Sequence, residues 1–356
     1  MKILQVIPYF CFGGAETMCE NLTYALKAAG HEVTVVSLYN EHTPISERME
    51  CAGVKILYLD KKLGLDVSMV PKLRRIMKQE KPDVVHTHLD VIKYAVAAAK
   101  LAGVKKCVHT VHSVAHKEAE GRIQKVINNI YYKLGWSTPV ALSAEVQETI
   151  ASFYGIPLEQ IPIVRNGVDL SKCLQKMDYR IHHPVRIVHV GRFDIPKNHA
   201  GLLRAFQKLL EVQPDCVLTL VGDGDLCPPM KKLAVELNIQ EKVHFCGMQT
   251  NVHPYLQEAD IFVLPSIYEG NPMTIIEAMG TGLPIVASRV GGIPDMVEHG
   301  QTALLVDCEE QAVCDACETL ITDETLRQHL GQNAKQHSVH FSSEFMAEQY
   351  CSIYKK

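Results

Sequence analysis

Ser266-Ile267-Tyr268-Glu269-Gly270-Asn271-Pro272-Met273-Thr274-Ile275-Ile276-Glu277 follows directly on the apolar run Ile261-Phe262-Val263-Leu264-Pro265. The run reads as a short strand buried on both faces. Gly270 and Pro272 shape a tight connection, and a helix begins with Thr274 at its start or in its first turn. A connection of this kind lies at the carboxyl edge of a parallel sheet, where open α/β proteins bind ligands. Glu269 precedes the turn and Glu277 stands about one helical turn beyond it. Two carboxylates so spaced can bracket one elongated ligand and accept from vicinal hydroxyls. Asn271, Pro272, Met273 and Thr274 fall between them, and the unpaired backbone N–H groups of that stretch suit a phosphate or sugar oxygens. The plainer alternative is a solvated helix glutamate and a helix-start charge favoured by the dipole. The Gly-Asn-Pro turn between the acids favours a ligand.

Upstream, the strand-like run 185–190 opens into Gly191-Arg192-Phe193-Asp194-Ile195-Pro196-Lys197-Asn198. Arg192 offers a rigid fork of donors and Lys197 a mobile point charge. Two cations beside the Glu269–Glu277 loop fit a pyrophosphate and the charge that grows on it when a glycosyl bond breaks. Strands are expected at 185–190, 216–221, 243–246, 261–265, 284–287 and 303–306, with helices at 199–211, 229–237, 252–258, 274–279 and 311–321. The same βα rhythm fills the first half, with strands at 2–8, 31–38, 55–59, 84–88, 106–112, 139–143 and 161–165. Helices there are expected at 15–29, 67–80, 92–102 and 123–134, and a last one closes the chain at 342–354. The polar stretch 169–184 breaks the rhythm and reads as a linker.

In the first half, Phe12-Gly13-Gly14-Ala15-Glu16 follows the first strand and opens the first helix. Gly13 and Gly14 allow close backbone approach to an anion at a helix start, although the GxGxxG spacing of dinucleotide folds is absent. His112 ends a strand, where a neutral imidazole can hydrogen-bond a sugar hydroxyl. His86 and His88 share one side of a strand but lack an evident third metal ligand, so they read as core or rim residues. Asp223-Gly224-Asp225 imitates a metal-binding DxD, but two acids around a glycine after a strand read more readily as a plain turn. Gly291-Gly292-Ile293-Pro294-Asp295 repeats the glycine-turn-then-helix pattern.

The chain has 356 residues, 47% hydrophobic and 21% charged, with a formal net charge of −4. It is long enough for two cores and gives no reason to expect a nucleic-acid partner. No secretory segment or membrane span is read from it, so a cytoplasmic location is expected. The placement of the twelve cysteines argues against a disulfide framework. Cys107, Cys216 and Cys246 sit in or beside apolar strand-like runs as small hydrophobes. The CxxC spacing of Cys314 and Cys317 falls inside a helical stretch rather than at a helix start, which argues against a redox role.

The acids of Glu269-Gly-Asn-Pro-Met-Thr-Ile-Ile-Glu277 form an E-x7-E arrangement. With Gly191-Arg192-x4-Lys197, the pattern resembles the retaining glycosyltransferases of family 4, which have the α/β GT-B fold. The likeness runs over nearly the whole chain, through the Gly-Gly-Ala-Glu loop, the Asn166–Asp169 turn, the Gly291-Gly292 loop and the final helix. It implies two Rossmann-like parallel-sheet domains facing across a cleft: an acceptor-side domain at 1–177 and a donor domain at 178–340. The helix at 341–356 would then cross back to the first domain. The resemblance implies that Arg192 and Lys197 clamp the donor diphosphate, Glu277 holds the ribose hydroxyls, and Glu269 contacts the transferred sugar. His112 would stand near the sugar and Gly14 on the phosphate side. It further implies transfer from a nucleotide sugar, by default a UDP-sugar, to a glycan or lipid-linked saccharide in cell-surface polysaccharide synthesis. No metal or separate cofactor is implied, and peripheral contact with the inner face of a membrane fits such an acceptor. A sugar-nucleotide epimerase of the same fold and a non-catalytic sugar-nucleotide-binding protein are the competing expectations. One departure is that Asn271 and Met273 stand where the family often has phenylalanine and glycine, which alters the wall around the sugar.

Overall fold

The computed structural model describes residues 1–11, 13–119 and 121–356. Phe12 of the glycine loop lies outside the described residues. The chain divides into two compact units, Met1–Gly167 with Ser343–Lys356, and Val168–Ser342.

In the first unit the order is β1 (Lys2–Ile7), α1 (Gly14–Ala28), β2 (Glu32–Ser37), α2 (Pro44–Cys51), β3 (Lys55–Tyr58), α3 (Met69–Glu80), β4 (Val84–His88) and α4 (Ile92–Ala102). It continues through β5 (Lys106–Val111), α5 (Ala115–Glu118), α6 (Arg122–Lys133), β6 (Thr138–Ala141) and α7 (Ala144–Tyr154). The second unit holds β7 (Val185–Val190), α8 (His199–Val212), β8 (Cys216–Val221), α9 (Cys227–Glu236), β9 (Val243–Phe245), α10 (His253–Glu258) and β10 (Ile261–Leu264). After these come α11 (Met273–Thr281), β11 (Ile285–Ser288), β12 (Leu304–Val306), α12 (Glu310–Thr322) and α13 (Glu324–His337). The last helix, α14 (Ser343–Tyr354), belongs to the first unit.

Each unit is built on a six-stranded parallel sheet. The strand orders are β3-β2-β1-β4-β5-β6 and β12-β11-β10-β7-β8-β9. Read from the opposite edge, the second order repeats the first. In each sheet the order reverses between the first and fourth strands of the unit, β1 and β4 in one and β7 and β10 in the other. The apolar runs that form the central strands β1, β4, β7 and β10 are buried on both faces, as a sheet covered by helices on both sides requires, whereas the edge strands β3 and β9 are partly exposed. α14 packs on α1. Its Tyr350 is fully buried and shares a hydrogen bond with Thr110 Oγ1 at 2.7 Å, and Tyr354 OH lies 2.7 Å from His86 Nδ1.

Several expectations of local structure need correction. Residues 161–165 form no strand; a single bridge joins Ala141 to Ile163, and Pro162 has no N–H to extend a ladder. Helices α2, α7 and α13 were not anticipated, although each has a capping side chain, from Thr43, Ser143 and Asp323 respectively. The segment after Val168 is irregular but anchored to the second unit. Lys176 N donates to Thr281 O at 2.7 Å, and Tyr179 OH donates to Gly282 O at 3.0 Å. The division between units therefore falls at Gly167–Val168 and again at Ser342–Ser343, compared with the 177–178 and 340–341 divisions expected from sequence.

Candidate active site

In the second unit, the carboxyl ends of the neighbouring strands β7 and β10 launch the two loops that the sequence singled out. Three contacts join them. Ile267 N donates to Pro196 O at 2.8 Å, Asn198 Nδ2 donates to Pro265 O at 3.1 Å, and Lys197 Nζ donates to Glu269 Oε1 at 2.5 Å. Asn198 adopts a left-handed conformation, and its side-chain oxygen caps α8 by accepting from Gly201 N at 3.2 Å. That turn fixes where Lys197 emerges. Gly191 packs closely beneath it: a Cβ there would stand 3.0 Å from His189 Nε2 and 3.2 Å from Lys197 Cδ, tight enough that a larger residue would press on the lysine.

Glu269 is buried, and the oxygen that accepts from Lys197 also accepts from Ser266 Oγ at 2.7 Å. A lysine ammonium has three donors, so its bond to Glu269 leaves two for a ligand. Arg192 is exposed, and among the described residues its guanidinium has neither ion pair nor hydrogen bond. The Gly291-Gly292 loop closes on the same carboxylate segment. Gly291 has a φ of 55°, and a Cβ on it would overlap the Glu269 carbonyl, while Gly292 N donates to that carbonyl at 3.0 Å.

α11 starts at Met273 with Pro272 as its N-cap, and no side chain caps it. Its first N–H groups thus keep the partial positive charge that attracts anions. Asn271 and Met273 are buried beside this start, and the buried Thr274 hydroxyl has no hydrogen-bond partner among the described residues. One turn along, the half-buried Glu277 carboxylate likewise makes no hydrogen bond among them. Desolvation pushes its pKa up to about 7, with Lys172 pulling the other way. An unpaired, poorly hydrated carboxylate is well suited to accept from paired hydroxyls. Burial pulls His189 down to about 4 and His199 to about 2, so both imidazoles stay neutral. His199 stacks on Phe193 with ring centroids 3.9 Å apart.

Asp223-Gly224-Asp225 serves the same loop. Phe193 N donates to Asp223 O at 3.0 Å, and a Cβ on Gly224 would stand 2.6 Å from Phe193 O. The glycine therefore lets this turn hold the Gly191–Phe193 backbone. Among the described residues, no group of three or more His, Cys, Asp or Glu side chains is placed to hold a metal ion.

In the first unit, Gly13 is the N-cap of α1 in extended conformation, and Gly14 is the first helical residue. The Glu16 carboxylate folds back into the space that a Cβ on Gly13 would occupy, and one of its oxygens accepts from Cys11 Sγ. An anion at this helix start would have to share it with that carboxylate.

His112 follows β5, and a hydrogen-bond chain from the core assigns its tautomer. Thr23 Oγ1 donates to Cys19 O at 2.7 Å, so it accepts from Gln5 Nε2 at 2.6 Å. Gln5 Oε1 must then accept from His88 Nε2 at 2.9 Å. Burial holds His88 neutral, so its Nδ1 accepts from His112 Nε2 at 3.2 Å. His112 is thereby left with Nδ1 as a bare acceptor. Burial pulls its pKa down to about 4, although Glu118 opposes the shift. Glu118 also fixes the turn, accepting from His112 N at 2.5 Å and Ser113 N at 3.2 Å. Gln5, His88 and Glu118 were not singled out as supports for His112; the alternation Val85-His86-Thr87-His88 at a strand's carboxyl end was the available signal.

Two Rossmann-like sheets of identical strand order, with a cationic and acidic loop pair at the switch point of the second, have the architecture of the GT-B fold. Residues 12–172 match the model of Glycosyltransferase Family 4, and residues 178–337 match that of Glycosyl transferases group 1. The chain is 30% identical over 264 residues to the UDP-Gal:alpha-D-GlcNAc-diphosphoundecaprenol alpha-1,3-galactosyltransferase of Escherichia coli, covering 69% of this chain and 67% of that one. It is 29% identical over 308 residues to the N-acetyl-alpha-D-glucosaminyl L-malate synthase of Bacillus anthracis, covering 81% and 78%. Among solved structures, Anabaena Alr3699/HepE in complex with UDP superposes with a TM-score of 0.86 at 19% identity over 100% of both chains. The chain belongs to glycosyltransferase family 4.

Proposed function

We propose that the protein is a retaining glycosyltransferase that moves a sugar from a UDP-sugar to a glycan or lipid-linked saccharide in cell-surface polysaccharide synthesis. The observation that carries this reading is the stitching of the Gly191–Asn198 loop to the Ser266–Glu277 segment. It gathers Arg192, Lys197, the uncapped start of α11, Glu269 and Glu277 within one unit. The E. coli relative is named for a UDP-Gal donor and a diphosphoundecaprenol-linked acceptor, and Anabaena HepE was solved with UDP and with UDP-glucose. Both support a UDP-linked donor here.

In this reading Arg192 and Lys197 bind the diphosphate, joined by N–H groups of residues 273 and 274. Asn271, Pro272 and Met273 wall the sugar, Glu269 accepts from its hydroxyls, and Glu277 accepts from the ribose hydroxyls. As the anomeric C–O bond breaks, its electron pair passes to the leaving diphosphate. The cations and helix N–H groups stabilise that growing charge more than they stabilise the bound ground state. The acceptor hydroxyl attacks on the same face and loses its proton to a donor phosphate oxygen. No second carboxylate across the ring is needed, unlike the usual retaining glycosidase. In the first unit, His112 Nδ1 accepts from a sugar hydroxyl, and Gly13 and Gly14 admit the donor phosphate side. The reaction uses no resident metal or cofactor, and it takes place in the cytoplasm.

A screen of UDP, GDP, ADP and their sugars by thermal shift, followed by NMR of the product anomer, tests the proposal. Stabilisation by UDP-sugars and an acceptor product that keeps the donor's anomeric configuration are expected. A UDP-sugar epimerised without acceptor would identify an epimerase instead, and donor binding without turnover would identify a binding protein.

A further inference from the structure

Helix α6 has its apolar side turned outward. Its buried positions are Gln124, Asn128, Tyr131 and Tyr132. The polar groups of Gln124, Asn128 and Tyr131 are paired inside the unit. Gln124 Nε2 donates to Asn128 Oδ1 at 2.8 Å, Asn128 Nδ2 donates to Tyr154 OH at 3.2 Å, and Tyr131 OH donates to Lys93 O at 3.2 Å. Ile123, Val126 and Ile130, with Leu134 just past the helix end, are 69%, 56%, 47% and 58% exposed. Steps of three and four residues place them on one stripe. A surface helix ordinarily buries such a stripe and leaves amides in water. The inversion, with Gln124, Asn128 and Tyr131 hydrogen-bonded in the interior, leaves the apolar side available for another surface.

The charge beside the stripe says what kind of surface. Arg122, Lys125 and Lys133 are exposed on α6, and the helix carries no Asp or Glu. Lys125 Nζ lies 3.9 Å from the centroid of the Phe153 ring, so Arg122 and Lys133 are the outer cations. Trp136, stacked on Tyr131 with centroids 5.8 Å apart, adds an amphipathic ring of the kind that settles at a bilayer interface. A two-fold pairing of α6 with another copy of itself would set cations against cations, with no acid on the helix to offset them. An anionic lipid surface offers both an apolar layer and phosphates.

We propose that α6 is a membrane-docking surface, whose stripe of Ile123, Val126, Ile130 and Leu134 enters the outer apolar layer of an anionic bilayer while Arg122 and Lys133 meet lipid phosphates. The helix follows shortly after His112, so docking presents that edge of the first unit to acceptors held in the bilayer. This purpose rests on the lipid-linked acceptor reading; the docking itself does not.

The test is flotation of the full chain with vesicles of phosphatidylcholine containing about 30% phosphatidylglycerol, and with phosphatidylcholine alone. The parent protein is expected to float with the anionic vesicles only, and less in about 1 M salt. Ile123→Ser with Ile130→Ser should weaken binding by about a hundredfold. Arg122→Glu with Lys133→Glu should weaken it by about twentyfold or more. Both variants alter exposed positions, so melting temperature and UDP binding by calorimetry should match the parent. Failure of the parent to float, or equal flotation of the variants, overturns the proposal. So does light scattering that shows a parent dimer broken by the Ile123→Ser and Ile130→Ser pair, which would make the stripe a protein interface. Calorimetry separates the two readings: absent UDP binding would sink the donor assignment and leave the vesicle result standing.

Discussion

Replacing Lys197 by methionine separates a catalytic cation from a structural one. Two losses are expected, and they have different signatures. The first concerns Glu269, which is buried and accepts from Lys197 Nζ at 2.5 Å and Ser266 Oγ at 2.7 Å. Without the ammonium, its charge keeps only the hydroxyl. Removing one partner of a buried ion pair costs about 3–5 kcal/mol. Lys197 retains some exposure, so about 3 kcal/mol, the lower end of that range, is expected for Lys197→Met. The second loss falls on the leaving diphosphate. A preorganised charge aimed at a developing anion contributes about 3 kcal/mol, or roughly a hundredfold in kcat. Pairing Lys197→Met with Glu269→Gln should recover most of the stability, because no unpaired buried charge remains, and should leave kcat low. Urea denaturation and kcat at saturating UDP-sugar, measured in one buffer, read the two quantities. Parent-like kcat in Lys197→Met would refute the reasoning. So would recovery of kcat together with stability in the double variant, since the lysine would then serve only to hold Glu269.

Glu277 should make stability depend on pH. Its carboxyl is raised from 4.5 to about 7, so the folded state prefers the protonated form. The associated stability is fully present below pH 4.5 and is lost as pH rises through about 7, at most about 3 kcal/mol. Glu277→Gln should therefore melt higher than the parent at pH 8 and bind UDP about tenfold more weakly, by calorimetry; parent-like UDP affinity would remove Glu277 from the ribose. Gln5→Leu takes away the acceptor that orients His88, so ¹⁵N NMR should show His112 gaining an Nδ1-protonated population, with kcat falling and KM unchanged. An unaltered tautomer would break the proposed chain. Gly291→Ala places a methyl against the Glu269 carbonyl at a left-handed φ, whereas Gly300, also left-handed, has open space around its Cβ position. Gly291→Ala should lose about 1–3 kcal/mol of stability and much of its turnover. Gly300→Ala should lose less of the first and none of the second, read by denaturation and initial rates.

The βα alternation and the two loops at the switch point were legible because both rest on local signals. Apolar runs such as Ile261-Phe262-Val263-Leu264 leave little choice but a doubly covered strand, and Gly-Arg-x4-Lys and Glu-Gly-Asn-Pro follow such runs directly. Helices with weak periodic signals were harder to see. α2 spans Pro44–Cys51 and opens with a proline that also reads as loop, while α13 buries Gly331 and Ala334 where a leucine stripe would have been conspicuous. The strand expected at 161–165 failed for a long-range reason, since only its edge partner decides whether a proline-containing run completes a ladder. The partners of the site residues depend on tertiary distance. Nothing in the spacing says that Lys197 reaches Glu269 over 72 residues, or that Gln5 lies beside His88 over 83. The parallel register that pairs Gln5 with His86 creates that second neighbourhood.

Calorimetric titration of UDP into the full chain and into Arg192→Ala and Lys197→Met tests the donor site most directly. Saturable one-to-one binding by the parent is expected, weakened about tenfold or more in each variant through loss of a charge-assisted contact. Undiminished affinity in both variants, or no heat of binding in the parent, would contradict the account.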